Sequence, residues 1–138
     1  MKNNFKCELI PTSSVGPFKL GTKISKYEKF DLDYFPPDES TGWATYKMRD
    51  PELEIYTEEE IIISIACREV CNYKGQNLIG LPFKELMRLI NERPEDKDEI
   101  IMEDGELQIV YEFYNFGLEV WTKCNIIVTV FCSRMIED

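Results

Sequence analysis

Apolar and polar residues alternate, with short unbroken apolar runs, over three consecutive stretches at residues 43–48, 53–57 and 61–68, and again at 107–114, 118–122 and 126–133. A period of two is the mark of a strand with one covered face. The connections between these stretches, at 49–52, 58–60, 115–117 and 123–125, are of hairpin length. Each set therefore predicts an antiparallel meander of three strands. Ahead of each meander lies a different period. Ile24, Tyr27 and Phe30 stand at helical spacing, and so do Phe83, Leu86, Met87 and Ile90. Gly21 and Gly80 precede these segments, and Pro82 suits the first turn of a helix, where its missing N–H costs nothing.

The two sets are copies. Leu53, Glu54, Thr57, Ile61, Ile62 and Cys67 recur identically 65 residues on as Leu118, Glu119, Thr122, Ile126, Ile127 and Cys132, while Tyr56 answers Trp121 and Ser64 answers Thr129. At the helical segments the offset is 59, so that Gly21 answers Gly80, Ile24 answers Phe83 and Tyr27 answers Leu86. The expected fold is α+β, a duplicated helix plus three-stranded meander, with both helices packed on one face of a joined sheet. It forms a single domain over 1–138, with repeats at about 16–70 and 76–134. Strand parity puts Ala44, Tyr46, Met48, Leu53, Ile55, Ile61, Ile63 and Ile65 under the helices, with Ile109, Tyr111, Phe113, Leu118, Val120, Ile126, Val128 and Val130 from the second copy. It leaves Thr45, Lys47, Glu54, Tyr56, Ser64, Arg68, Glu112, Tyr114, Glu119, Trp121, Thr129 and Phe131 on the other face. The intervening segments 31–42 and 92–106 are expected to be acidic loops, and Phe5, Leu9 and Ile10 suggest a short edge strand near the start.

Composition narrows the function. At 138 residues with 43% hydrophobic content the chain can bury a core. Its longest apolar run falls well short of the roughly 20 residues a membrane helix needs, and its beginning lacks the apolar stretch of a signal peptide, so a cytoplasmic protein is expected. The net charge is -10. Residues 1–30 carry +4, which leaves -14 on the remainder, and residues 91–106 alone hold eight acids against Arg93 and Lys97. Such a surface repels phosphates and admits a basic partner. Cys67 and Cys132 hold matching places at the ends of apolar strands, as buried thiols would, and Cys67 and Cys71 have no histidine in the chain to complete a metal site. No metal and no cofactor is expected.

The absence of histidine also removes the commonest acid–base catalyst. No Walker loop, nucleophile elbow or dinucleotide fingerprint occurs, and Glu95 to Glu99 lacks the spacing of a calcium loop. A carboxylate pair, Glu54 and Glu119, is what remains for chemistry, in a groove between the repeats that would bind a small molecule or act enzymatically. Duplication accounts for that pair more simply as one strand position copied twice.

With its Leu20-Gly21 and Ile79-Gly80 turns before each short helix, the repeated unit resembles the tandem-repeat architecture of secreted β-lactamase inhibitor proteins, which grip an enzyme on a concave sheet. It departs from them in lacking an export signal and matched disulfides. In its size, acidity and lack of catalytic motifs the chain looks more like bacterial toxin-immunity proteins, particularly those of contact-dependent growth inhibition. That resemblance implies a non-enzymatic inhibitor, acting as a monomer or weak homodimer on a cognate basic toxin such as a nuclease. It implies no direct contact with nucleic acid or membrane. Two surfaces are the candidates for partner binding. The acidic loops offer Asp31, Asp33, Asp38, Glu39, Glu95, Asp96, Asp98, Glu99, Glu103 and Asp104 for steering. The exposed sheet face offers Tyr56, Trp121 and Phe131, with Tyr34 and Trp43 nearby, as anchors.

Overall fold

The computed structural model describes residues 5–134, so residues 1–4 and 135–138 lie outside the described residues. In chain order the strands are β1 (Leu9–Ile10), β2 (Ser14–Val15), β3 (Phe18–Lys19), β4 (Asp33–Phe35), β5 (Ala44–Arg49), β6 (Glu52–Glu58), β7 (Ile61–Cys67), β8 (Asn72–Tyr73), β9 (Gln76–Asn77), β10 (Asp96–Ile101), β11 (Leu107–Phe113), β12 (Leu118–Lys123) and β13 (Ile126–Ser133). Among the described residues there are also one α-helix, α1 (Phe83–Ile90), and two short 3₁₀ turns, Ile24–Tyr27 and Tyr114–Phe116.

The expected duplicated helix-plus-meander α+β fold is not what forms. The chain is mostly β, with 48% strand and 12% helical residues, and is built on one eight-stranded antiparallel sheet in the order β10-β11-β12-β13-β7-β6-β5-β4. The segment expected to be a first helix makes only one 3₁₀ turn. Of its residues, ISKY, only Lys26 is a strong helix former, whereas FKELMRLI in α1 is rich in strong ones and gains an Arg88–Glu85 pair one turn apart. Pro82 is the N-cap of α1, not a residue of its first turn.

Each of the two expected loops contains a strand that was not expected. Asp33–Phe35 adds to the edge of β5, and Asp96–Ile101 adds to the edge of β11. Charged side chains on edge strands deter further pairing, which is why these segments read as solvated loops.

Turn chemistry sets the register. Glu59 and Glu60 (φ 50° and 69°) close β6 onto β7, and Cys124 and Asn125 (φ 50° and 65°) close β12 onto β13, in matching two-residue turns with both residues left-handed. Each meander carries the same bulge, between Tyr56 and Thr57 in one and Trp121 and Thr122 in the other. The extra residues, Ile63 on β7 and Val128 on β13, shift parity by one on those strands, so Ile62 and Ile127 turn inward beside Thr57 and Thr122, which keep the inward parity of β6 and β12. Hence the expected placement of Ile61, Ile63, Ile126 and Val128 in the core is corrected: they are half-buried or exposed, and Ile62 and Ile127 take their place.

Equivalent backbone bonds brace both copies from beneath. Gly21 N–H donates to Ile62 O and Gly80 N–H to Ile127 O, both at 2.8 Å; Ile62 N–H donates to Thr22 O and Ile127 N–H to Leu81 O, both at 2.9 Å. On this inner face lies one hydrophobic cluster, which takes in Phe18 from β3, Tyr27, and Phe83 and Leu86 from α1 against Leu53, Ile55, Leu118 and Val120. Among the described residues no helix or second sheet lies over the sheet's other face.

The copies meet at β7 and β13, in the antiparallel pairs Val130↔Cys67, Phe131↔Ala66, Cys132↔Ile65 and Ser133↔Ser64. Shifting each member by 65 maps Val130↔Cys67 onto Cys132↔Ile65 and Phe131↔Ala66 onto itself. A pseudo-twofold axis therefore passes between Ala66 and Phe131.

Candidate functional site

Register fixes what the bare face presents along the row that crosses the axis. From one edge to the other it reads Asp96, Glu112, Glu119, Phe131, then Ala66, Glu54, Lys47, Asp33. Asp96 thus answers Asp33, Glu112 answers Lys47, and Glu119 answers Glu54.

Alongside this row the aromatic side chains form a continuous run. The rings of Trp43 and Tyr56 are 6.4 Å apart, Tyr56 stacks on Phe131 at 6.1 Å, and Phe131 lies 6.1 Å from Trp121. Each copy ties its central aromatic to its glutamate in the same way. Tyr56 Oη–H donates to Glu54 and Trp121 Nε1–H donates to Glu119, both at 2.7 Å. Burial raises the Tyr56 phenol above its usual range, which keeps it a neutral donor. Trp43 Nε1–H donates to Glu58 at 2.9 Å. A groove of about 460 Å³ opens beside the run at the seam, lined in part by Trp43, Tyr56, Ile61, Ile63, Glu119 and Phe131.

The two halves of the face differ in charge balance. In the first, the Arg68 guanidinium pairs with Glu54, Lys47 stands opposite both Glu54 and Asp33, and Arg49 Nε reaches Asp33 at 2.9 Å. In the second, Lys47 is replaced by Glu112 and Arg68 by Ser133. Among the described residues, no lysine or arginine pairs with Asp96, Asp98, Glu112 or Glu119; Lys97 turns away, over the Tyr111 ring. Burial, reinforced by the neighbouring Glu119, Asp96 and Asp98 carboxylates, holds the Glu112 carboxyl above its usual range.

Of the anchors expected from the sequence, Trp43, Tyr56, Trp121 and Phe131 are brought together. Tyr34 is not: it pairs with Tyr46, 5.1 Å from that ring, on the inner side, and is 55% exposed. The expected acidic loops resolve into separate groups. Asp33, Asp96 and Asp98 point from edge strands toward the bare face, while Glu99, paired with Ile109, has the opposite parity. Glu103 and Asp104 lie in the exposed turn between β10 and β11, and Glu95 accepts the Tyr114 N–H at 2.7 Å at the start of β10. Asp31 and Glu39 are exposed at the far edge, where Ser40 holds the Asp38 carboxyl below its usual range through its hydroxyl and N–H. Glu112 had no place among the expected site residues. Its signal lay in the offset of 65, which sets it against Lys47.

The groove does not bring Glu54 and Glu119 together. They sit three strand spacings apart, about 14 Å, beyond the separations at which paired carboxylates hydrolyse glycosidic bonds. Cys7, Cys67, Cys71 and Cys132 are buried and Cys124 is exposed. Burial pushes Cys7 up to about 11 and Cys132 up to about 12, while a hydrogen bond with Cys71, then burial, raise Cys67; thiols so held are unreactive. Among the described residues no group of three or more Cys, Asp or Glu side chains is arranged to hold a metal ion, and no helix is long and apolar enough to cross a membrane. Comparison with known proteins finds no matching family model, curated protein or solved structure.

Proposed function

We propose that this chain is an inhibitor of the immunity type, which binds and neutralises a cognate basic toxin through the bare face of its sheet. The observation that carries this reading is the aromatic run Trp43–Tyr56–Phe131–Trp121, uncovered on one face and bordered by the uncompensated acids Asp96, Asp98, Glu112 and Glu119. Aromatic anchors beside a polar border suit an interface centre, and the acidic border suits a partner whose own function requires positive charge, as a nuclease does. Asp31, Asp38, Glu39, Glu103 and Asp104 add to the long-range field without touching the face. The groove at the seam would equally admit a small molecule. A carboxylate-pair reaction there has little support, because the two repeated glutamates stand strands apart and each is already hydrogen-bonded.

The test is co-expression with the product of the reading frame beside the gene. Growth inhibition by that product should be relieved by this chain, and Trp121→Ala should weaken the relief by speeding dissociation. A neighbouring product that does not inhibit growth, or whose inhibition this chain leaves unchanged, would overturn the reading.

A further inference from the structure

Acidity alone would not define a site, but the first copy supplies the missing interaction itself. Glu54 and Glu119 are the same position in the two repeats, each accepting a hydrogen bond from the aromatic two residues on. Around Glu54 the chain furnishes its own cations, Arg68 from the adjoining end of β7 and Lys47 from β5. Around Glu119 those two positions are Ser133 and Glu112. One copy is closed by intramolecular pairing, while its counterpart keeps the carboxylates and the aromatic and, among the described residues, has no lysine or arginine paired with them, Arg134 lining the seam groove near Glu119 without an ion pair to it.

We infer that the second half of the bare face receives an arginine side chain of a basic protein partner, its guanidinium taking against Glu119 and Glu112 the place that Arg68 and Lys47 take against Glu54. This rests on the reading of the protein as a binder of a basic partner and names the chemistry of the contact.

Arginine suits the position better than lysine does. Its planar fork offers five donors to two neighbouring carboxylates, and its flat face stacks on an indole such as that of Trp121. The Trp121 N–H donated to Glu119 holds that carboxylate in place before the partner arrives. The Glu112 carboxyl is raised first by burial and then by the neighbouring Glu119, Asp96 and Asp98 carboxylates, and an arriving cation relieves this second, repulsive part. Phe131, beside the axis, closes one side of the position with an apolar ring where the first copy has only Ala66.

The full chain carries two tryptophans, one in each copy, both donating their indole N–H to a glutamate. Nitrogen-15 correlation spectra therefore read the two halves separately. N-acetylarginine amide, added at constant ionic strength, should move the Trp121 indole resonance saturably and leave that of Trp43 in place. The double variant Glu112→Lys/Ser133→Arg reproduces the first copy and should abolish the shift while the Trp43 resonance stays where it was. The reciprocal variant Lys47→Glu/Arg68→Ser should make the Trp43 resonance respond, through Tyr56 beside it.

An equal response to N-acetyllysine amide, displacement by calcium, a uniform response of both indoles, or a shift that survives in the double variant would each overturn the assignment. In the cognate complex the double variant should weaken binding at least about tenfold, as the loss of a well-placed charge pair does. If the probe binds as described but the chain relieves no toxicity, the immunity reading falls and the arginine site stands. If the double variant relieves toxicity as fully as the unaltered chain, the site falls and the reading stands.

Discussion

Glu112 is the residue at which the two copies diverge most in consequence. Lysine at the equivalent position balances its row, and glutamate unbalances it. Because the folded chain holds the Glu112 carboxyl above its usual range, the unfolded chain gives up that proton first as pH rises, and the native state loses stability from the usual glutamate range upward. Glu112→Gln is therefore expected to stabilise the protein at pH 7, by under about 1 kcal/mol because the side chain is partly solvated and screened. The gain should vanish below about pH 4, where both states are protonated. Urea denaturation at the two pH values measures the difference, and a loss of stability at pH 7 would contradict the raised carboxyl. Residue identities on the bare face were legible because Tyr56, Glu119, Trp121 and Phe131 fall before or after their bulges on unshifted parity. Tyr34 was misplaced because the strand that carries it was not foreseen.

At the scale of the element, the six central strands could be read from alternation, and two features could not. The bulges leave no mark in an apolar run such as Ile61-Ile62-Ile63, where every residue is equally suited to the core. The edge strands β4 and β10 are dominated by charge and aromatic side chains that edges tolerate, so no periodicity distinguishes them from loops. The bulge makes a sharp prediction in the second copy. Ile127 is 1% exposed and Ile126 is 38% exposed. Ile127→Ala is expected to cost about 2–5 kcal/mol through the cavity it leaves, and Ile126→Ala under about 1 kcal/mol. Simple alternation from Ile126 demands the opposite order, so chemical denaturation of the two variants decides between them. Gly117, at the start of β12, is a fixed point of the same element: its φ is 60°, and a Cβ there would meet the Ser133 carbonyl, whose residue donates its own N–H to Gly117 O at 2.8 Å.

The whole molecule is two similar halves that share one sheet and one core. Four residue pairs join β7 to β13, with Ser64 Oγ and Ser133 Oγ 2.9 Å apart at the end of the seam. Beneath it, a single cluster holds Leu53 and Ile62 of the first copy with Leu118 and Ile127 of the second. A half separated from its fellow would expose both the seam edge and much of the apolar surface the cluster buries, so the halves should unfold as one unit. The tryptophans test this because Trp43 and Trp121 belong to different copies. In Trp121→Phe the fluorescence reports the first half, and in Trp43→Phe it reports the second. Far-UV circular dichroism supplies each variant's global transition for reference. Within each variant the fluorescence midpoint in urea is expected to coincide with the dichroism midpoint, even if the substitutions shift stability unequally. A fluorescence transition that precedes the dichroism in one variant and lags it in the other would mean that each copy carries its own core, with the seam reduced to a docking contact. Continuity of the sheet across that seam lets Tyr56 and Trp121 present one surface, since Phe131, the ring that bridges them, stands beside the axis.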